Sequence, residues 1–152
     1  MAKFNINGMD EISASFDQMA SLSDEDKMSV IMSGARVLLD RQREKIRSLF
    51  TQRTGDLANS LTIEEKSGED GPYAWLFPKG KHRGSSTGKR RGKRRSNGKY
   101  SGTNAEVAYI QEYGSPRISA THWMEIANEE AEEEVVSAQQ NAWDDLITKK
   151  GL

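Results

Sequence analysis

The residues with the clearest chemical potential are the lysines and arginines concentrated between positions 79 and 99. This stretch, KGKHRGSSTGKRRGKRRSNGK, contains ten basic residues and no Asp or Glu. The remainder of the chain carries 12 basic and 23 acidic residues, a net charge of −11, although the whole chain has a net charge of only −1. Such a stretch binds anions through its charge, so we expect a nucleic acid or an acidic protein surface as partner. The ten residues are Lys79, Lys81, Arg83, Lys89, Arg90, Arg91, Lys93, Arg94, Arg95 and Lys99.

This basic segment, residues 79–99, contains no apolar side chain. Burial therefore cannot offset the entropic cost of ordering its backbone, and we expect a long mobile loop. Within it the four residues Gly88 to Arg91 are repeated as Gly92 to Arg95. The alternative to a binding role is a loop that is merely solvated.

The groups that catalysis or metal binding would require are sparse. The chain has no Cys, and neither His82 nor His122 has a partner at metal-ligand spacing, so we expect no metal site and no cofactor. The stretch 84–89, GSSTGK, resembles a phosphate-binding loop. It is one residue short between its glycines, and Arg90 stands where a Ser or Thr would bind magnesium. No nucleophile elbow is present, so we expect a protein that is not an enzyme.

Length and composition predict a single domain, residues 1–152, with a modest core. Hydrophobic residues make up 35% of the chain and charged residues 30%, which suggests that part of the burial comes from assembly with other subunits. The N-terminus, MAKFNING, has no apolar signal core, and no segment approaches 18 apolar residues. We therefore expect a soluble protein made in the cytoplasm, without a membrane partner.

Two long helices are predicted from apolar residues at helical spacing. The first covers residues 24–50, and its first turn is acidic, as the helix dipole favours. The second covers residues 121–149, and its apolar stripe contains four alanines, which would let a partner helix approach closely. Its glutamates at 129, 130 and 132–134 form either a solvated face or a counter-surface for a neighbour's basic segment. A shorter helix is predicted at 9–22, after a strand at 3–7.

Period-two alternation predicts three further strands, at 61–66, 72–78 and 104–110. Together with the helices they indicate an α+β fold, in which a small, mainly antiparallel sheet packs on the 24–50 helix. The basic segment would then be an insertion that forms the extended tip of a β-hairpin between the second and third of these strands.

Several short motifs, in this order along the chain, resemble the tail-completion or neck proteins of long-tailed bacteriophages, the family related to lambda minor tail protein Z. The start FNINGMDEI is followed by a long helix, then by "TG-x-L-x-x-S" and a displaced form of "YA-x-x-x-E-x-G". Where the family has an "ARPF" helix start, this chain has ATHWM at 120–124, which keeps the Ala and an aromatic residue but lacks the Arg and Pro. The motif residues here are Thr54, Gly55, Leu57, Ser60, Tyr109, Glu112 and Gly114.

The resemblance implies a structural virion protein that assembles in the host cytoplasm and forms a ring, expected to be a hexamer, at the head–tail junction. Its partners would be the head-closure or connector protein on one side and the tail terminator or tail tube protein on the other. The basic segments would contact genomic DNA in the channel or an acidic patch of the next ring. The C-terminal helix is too long for so small a body to cover, so we expect Trp123 and Trp143 to be buried, at least partly, by a neighbouring subunit or by the adjacent ring.

The alternative function is a stand-alone nucleic-acid-binding protein that uses the basic segment as its main contact. Two features of the sequence argue against this alternative. The basic segment lacks interleaved aromatic residues for base stacking, and the acidic remainder of the chain would repel a duplex.

Overall fold

The computed structural model describes residues 22–50, 56–81 and 103–151, and these form an α+β fold. The expected fold class is therefore confirmed, whereas the expectations for residues 3–7 and 9–22 lie outside the described residues. The elements in chain order are α1 (Asp24–Leu49), α2 (Asp56–Ser60), β1 (Leu61–Gly68), β2 (Gly71–Pro78), α3 (Asn104–Tyr113) and α4 (Trp123–Lys150).

Helix α1 begins at a capping box. The Ser23 hydroxyl accepts a hydrogen bond from the backbone N–H of Asp26, and the Asp26 carboxylate accepts one from the backbone N–H of Ser23. This reciprocal pair satisfies two donors that would otherwise lack an intrahelical partner. The acidic first turn that the sequence predicted is confirmed, and the helix ends where Phe50 becomes extended.

Strands β1 and β2 form an antiparallel hairpin joined by a tight turn at residues 69–70. The register pairs Leu61 with Pro78 and Ile63 with Leu76, so these residues share the face that packs on α1. The guanidinium of Arg43 on α1 donates to the backbone carbonyls of Ala58 and Leu61 and so ties the start of the hairpin to the helix.

The prediction of a strand at 104–110 is wrong, because these residues belong to helix α3. Thr103 and Glu106 form a second capping box at its start, and Asn104, Ala108 and Glu112 are buried at a spacing of four. The sheet of the described residues therefore has two strands. The basic segment does not form the tip of a hairpin but connects β2 to α3, with an isolated bridge between Lys81 and Thr103 at its base.

Helix α4 packs along α1, and the predicted alanine stripe faces this contact. Ala127 and Ala131 are buried, and the Ser33 hydroxyl of α1 donates to the backbone carbonyl of Ala138 at 3.1 Å, which shows how closely the backbones approach. Since the hairpin and α4 both pack mainly on α1, the described part of the molecule has three layers with α1 in the middle. None of its helices combines the length and the apolar character needed to cross a bilayer.

The hydrophobic core lies where α1, α2, α3 and the start of α4 meet. Trp123 is its largest member and is completely buried, with its indole N–H 3.4 Å from the carbonyl oxygen of Ala108. The prediction that a neighbouring subunit covers Trp123 is wrong, because the chain itself leaves no part of this side chain exposed. Trp143 is half-buried, so its contact with a neighbour stays a prediction. The other core residues are Ile46, Leu57, Ala58, Leu61 and Ala108.

Candidate interaction surfaces

The base of the basic segment is fixed to the fold by backbone and side-chain hydrogen bonds. The Lys79 N–H donates to the carbonyl of Ser60 at 2.8 Å. From α3, the backbone N–H of Asn104 donates to the carbonyl of Gly80 at 3.0 Å, and its side-chain amide donates to the carbonyl of Lys79 at 2.9 Å. These bonds hold the end of β2 beside the start of α3. Lys79 and Lys81 are exposed, whereas the other eight basic residues of the segment lie outside the described residues.

Lys79 also joins a small charge cluster on the hairpin. Its ammonium group lies 3.1 Å from one carboxylate oxygen of Glu64, and the ammonium of Lys66 lies 3.2 Å from the other. The hydrogen bond from Lys79, followed by that from Lys66, lowers the pKa of Glu64 below its ordinary value. Because two cations share one anion, this cluster of three side chains carries one net positive charge.

A row of aromatic side chains covers the hairpin face that points away from α1. We call Tyr73, Trp75 and Phe77 the aromatic row; Tyr73 is 49% exposed and Trp75 is 56% exposed. The Trp75 and Phe77 rings pack together with their centroids 5.1 Å apart. The sequence places apolar residues on both faces of β2, but only the structure shows that the described residues leave one of these faces uncovered. The row runs directly into Lys79, so an apolar surface and a basic one are continuous.

The face of α4 that points away from α1 is acidic. We call Glu129, Glu132, Glu133 and Val136 the acidic face; all four are exposed, and Val136 is 54% exposed. Glutamates three and four residues apart on a helix repel each other. Their neighbours Glu130 and Glu134 instead form ion pairs with Lys45 and Arg41 of α1. Arg41 correspondingly lowers the pKa of Glu134.

Two of the predicted family-motif residues join α3 to α4. Glu112 is buried, and its two carboxylate oxygens accept hydrogen bonds from the backbone N–H groups of Met124 at 2.7 Å and Glu125 at 3.3 Å. The N-cap residue of α4, His122, makes no side-chain cap, so Glu112 supplies the cap from another helix. Gly114 has φ +81°, and a Cβ there would lie 2.9 Å from the backbone of both Ile118 and Ala120.

The remaining motif residues have different environments. Leu57 is part of the core, and the Ser60 hydroxyl donates to the carbonyl of Leu57. Tyr109 is 63% exposed and packs against Tyr113 with ring centroids 4.8 Å apart. Thr54 and Gly55 lie outside the described residues. The motif residues therefore do not converge on one site, and the buried ones serve the fold.

One cluster of potential metal ligands occurs in the described part of the chain, formed by Glu112, His122 and Glu125. His122 Nδ1 lies 3.4 Å from a carboxylate oxygen of Glu125, and both side chains are exposed. Glu112 is already engaged by backbone N–H groups at the positive end of α4, where a cation is disfavoured. This geometry favours a helix cap over a metal site.

A groove of about 590 Å³ lies between the start of α1 and the tip of the hairpin. Met28, Met32 and Pro72 line its apolar part, while Arg36 and Lys66 are among the charged residues at its edges. No His or Cys lines it within the described residues, but three carboxylates do, those of Asp24, Glu25 and Glu65. The aromatic row adjoins the basic segment, and the acidic face carries charge that is unpaired within the described residues, so the proposals below rest on these two surfaces.

Comparison of the chain with protein-family models, with curated proteins and with solved structures gave no match. The resemblance to phage neck proteins consequently stays a prediction that rests on the motifs of the sequence.

Proposed function

We propose that this protein is a non-enzymatic structural subunit that assembles into a ring at the head–tail junction of a long-tailed bacteriophage. The observation that carries the proposal is the uncovered aromatic row, with Trp75 56% exposed beside the basic segment. Aromatic residues are enriched in the buried centres of protein interfaces, so their exposure on a single chain favours a protein partner. The assignment to a bacteriophage rests on the order of the short motifs along the sequence.

In this role the ring, with six copies, joins the head-closure or connector protein to the tail terminator or tail tube protein. The basic segments contact an anionic surface, either genomic DNA in the channel or an acidic patch of the adjoining ring. Such binding involves charge rather than base sequence, because basic side chains contact phosphates without reading the bases.

The first test is the state of the purified protein. Sedimentation velocity and negative-stain electron microscopy are expected to show a closed ring that dissociates when salt is raised or Trp75 is replaced by Ala. A protein that stays monomeric at every concentration and salt, and is absent from purified virions, would contradict the proposal.

The second test addresses the basic segment in the assembled particle. Replacement of Lys89, Arg90, Arg91, Lys93, Arg94 and Arg95 by Gln is expected to lower the number of full, tailed, infectious particles. The thermal midpoint of the purified protein should stay nearly unchanged, because the basic segment has no apolar side chain to contribute to a core. Normal particle counts would show that the segment is merely solvated.

A second candidate is a stand-alone nucleic-acid-binding protein, and one observation favours it. The aromatic row leads directly into the basic segment and so supplies a stacking surface that the segment itself lacks. In that case a monomeric protein would shift single-stranded DNA on a gel, and Trp75→Ala would weaken the shift. If instead duplex DNA binds through about six phosphate contacts, the log–log salt slope should be near −5 and insensitive to Trp75.

A further inference from the structure

We propose that the aromatic row is the docking site for the acidic face of a second copy of this chain, in a head-to-tail contact. The inference depends on the proposed assembly function and names the two surfaces that meet. It follows from the area of the aromatic row, the charge around it and the placement of the two surfaces on opposite sides of α1.

The area of the aromatic row requires a partner that also contacts its charged surroundings. Fully buried aromatic side chains cover about 150–250 Å² each, and this row is already about half covered by its own chain. A stable interface buries about 800 Å² on each partner. The row can therefore supply the apolar centre of an interface but not the whole of it.

The charge around the row selects an acidic partner. Lys66 and Lys79 share the single carboxylate of Glu64, and Lys81 lies exposed just beyond them, where the rest of the basic segment begins. Two copies that paired hairpin to hairpin would bring like charges together, which is unfavourable. An acidic surface that also carries an exposed apolar side chain would satisfy both parts of this face.

The acidic face of α4 has this composition. Glu129, Glu132 and Glu133 form no ion pair with a cation of the described residues, and they lie one to two turns before the exposed apolar side chain of Val136 on the same helix face. Their mutual repulsion destabilises the isolated helix and would be relieved by cations from a neighbour. Val136 could then contact the aromatic row while the glutamates meet Lys66 and Lys79.

The placement of the two surfaces makes the contact head-to-tail. The hairpin and α4 pack mainly on α1, and each directs its outer face away from it. A contact between unlike surfaces leaves one of each kind free on every pair, so further copies can add until the arrangement closes. This is the type of contact that a ring requires, whereas a two-fold contact would stop at a dimer.

The absence of Cys from the chain permits a direct test by cysteine cross-linking. Thr62 is paired with Phe77 at the edge of the aromatic row, and Val136 lies at the C-terminal end of the acidic face. A protein with both Thr62→Cys and Val136→Cys, treated with a short bis-maleimide, is expected to give a ladder of products beyond the dimer. A Thr62→Cys and Tyr109→Cys protein is the matched control, because Tyr109 is exposed on α3 and belongs to neither surface.

The single variants distinguish the alternatives. Thr62→Cys alone is expected to give almost no cross-linked product, and efficient cross-linked dimers from it would reveal a two-fold contact and overturn the proposal. An assembled protein without a Thr62–Val136 ladder would also overturn it, while leaving the proposed assembly function in place. A protein that is monomeric throughout would contradict both. Protection of Trp75 by an oligonucleotide, without any ladder, would assign the aromatic row to nucleic acid instead.

Charge reversal gives an independent test in solution. Glu132→Lys with Glu133→Lys is expected to raise the concentration for half-assembly at least about tenfold, as for loss of charge pairs at an interface. Adding Lys66→Glu and Lys79→Glu should restore part of the assembly. The matched control is Glu69→Lys with Asp70→Lys at the hairpin turn, where the same change in net charge should have little effect on assembly. Equal losses from both reversals would show that only net charge matters and would overturn the specific contact.

Discussion

Trp123 and Trp75 lie in two regions of the molecule in which the same type of side chain differs in its exposure to solvent. Trp123 is fully buried where α1, α3 and α4 meet, and its indole N–H has a carbonyl partner. Trp75 is 56% exposed on a hairpin face that no described element covers. The first region completes its packing within one chain, whereas the second leaves apolar surface in water.

The difference separates residues that hold the fold from residues that are available to a partner. Around Trp123 polar groups also find partners within the chain, since Glu112 caps α4 and Thr121 donates to the carbonyl of Gln111. Around Trp75 the charged neighbours lie nearer the surface, since Lys79 is exposed and Glu64 is half-buried, and Glu64 forms its ion pairs with Lys79 and Lys66. Substitutions in the first region should change stability, and those in the second should change assembly.

The largest effect is expected at Trp123 itself. Trp123→Ala should lower the free energy of unfolding by about 3–5 kcal/mol, because it removes a large buried side chain and leaves a cavity. Urea denaturation of Trp123→Ala and Trp75→Ala would measure the contrast, and Trp75→Ala should cost less than about 1 kcal/mol. If Trp123→Ala fails to fold, Trp123→Phe keeps part of the ring and should still lose more stability than Trp75→Phe. Equal losses at the two positions would remove the distinction between the regions.

The next effect is expected at Gly114, and Gly71 is its natural control. Both have positive φ, +81° and +116°, but a Cβ at Gly114 meets backbone atoms at 2.9 Å, whereas a Cβ at Gly71 meets nothing within 4 Å. Gly114→Ala should therefore cost about 2–4 kcal/mol from strain and steric overlap, and Gly71→Ala only about 1 kcal/mol from strain. Thermal unfolding of the two variants measures the difference. A larger decrease in the thermal midpoint for Gly71→Ala would show that the backbone between α3 and α4 can move to accommodate the added Cβ at little cost in free energy.

A somewhat smaller effect is expected at Glu112. Glu112→Ala removes the acceptor for two backbone N–H groups at the start of α4 and should cost about 1–3 kcal/mol. Glu132→Ala on the acidic face removes the same charge from an exposed position and should leave stability nearly unchanged. Circular dichroism during urea unfolding would compare them. Equal free energies of unfolding for the two variants would mean that water hydrogen-bonds the N–H groups at the start of α4 as well as Glu112 does.

The smallest effect is a pH dependence at Glu64. Because Lys79 and Lys66 lower its pKa in the folded protein, the stability it contributes is present above its ordinary pKa and is lost as pH falls through the lowered value. The thermal midpoint of the wild-type protein should therefore exceed that of Glu64→Gln at neutral pH, and the gap should close in acid and in high salt. A gap that does not depend on pH would indicate that packing rather than charge sets the difference.

The parts of the fold that were predicted correctly are those with long, regular patterns. Helix α1 has many apolar residues on one face and a capping signal at Ser23, and the alternation around Trp75 identifies β2. The incorrect prediction of a strand at 104–110 shows where prediction from the spacing of apolar residues fails. Four apolar residues at 107–110 suit either a strand or a helix, and the deciding signal was Thr103 followed three residues later by Glu106, a capping box readable from the sequence.

The candidate surfaces were less accessible to prediction because they depend on what other elements cover. The sequence shows that Trp75 and Trp123 both occur at apolar positions, but not that α1 covers only one face of β2 or that the core encloses Trp123. Likewise, Glu112 appeared as one residue of a short motif. Its role as a cap depends on a contact between α3 and α4 that no local pattern indicates.

The hydrogen bonds at Lys79, Gly80 and Asn104 have a consequence for how this protein could diversify. They hold residues 81 and 103 together within the fold, so both ends of the stretch that the sequence predicts to be a loop are already fixed. The entropy of closing such a loop grows only with the logarithm of its length, by about 0.6 kcal/mol for each doubling. Residues 82–102 can therefore be shortened, lengthened or exchanged for another sequence at little thermodynamic cost. The same base would accept a foreign peptide for display as readily as a new set of charges for a different partner.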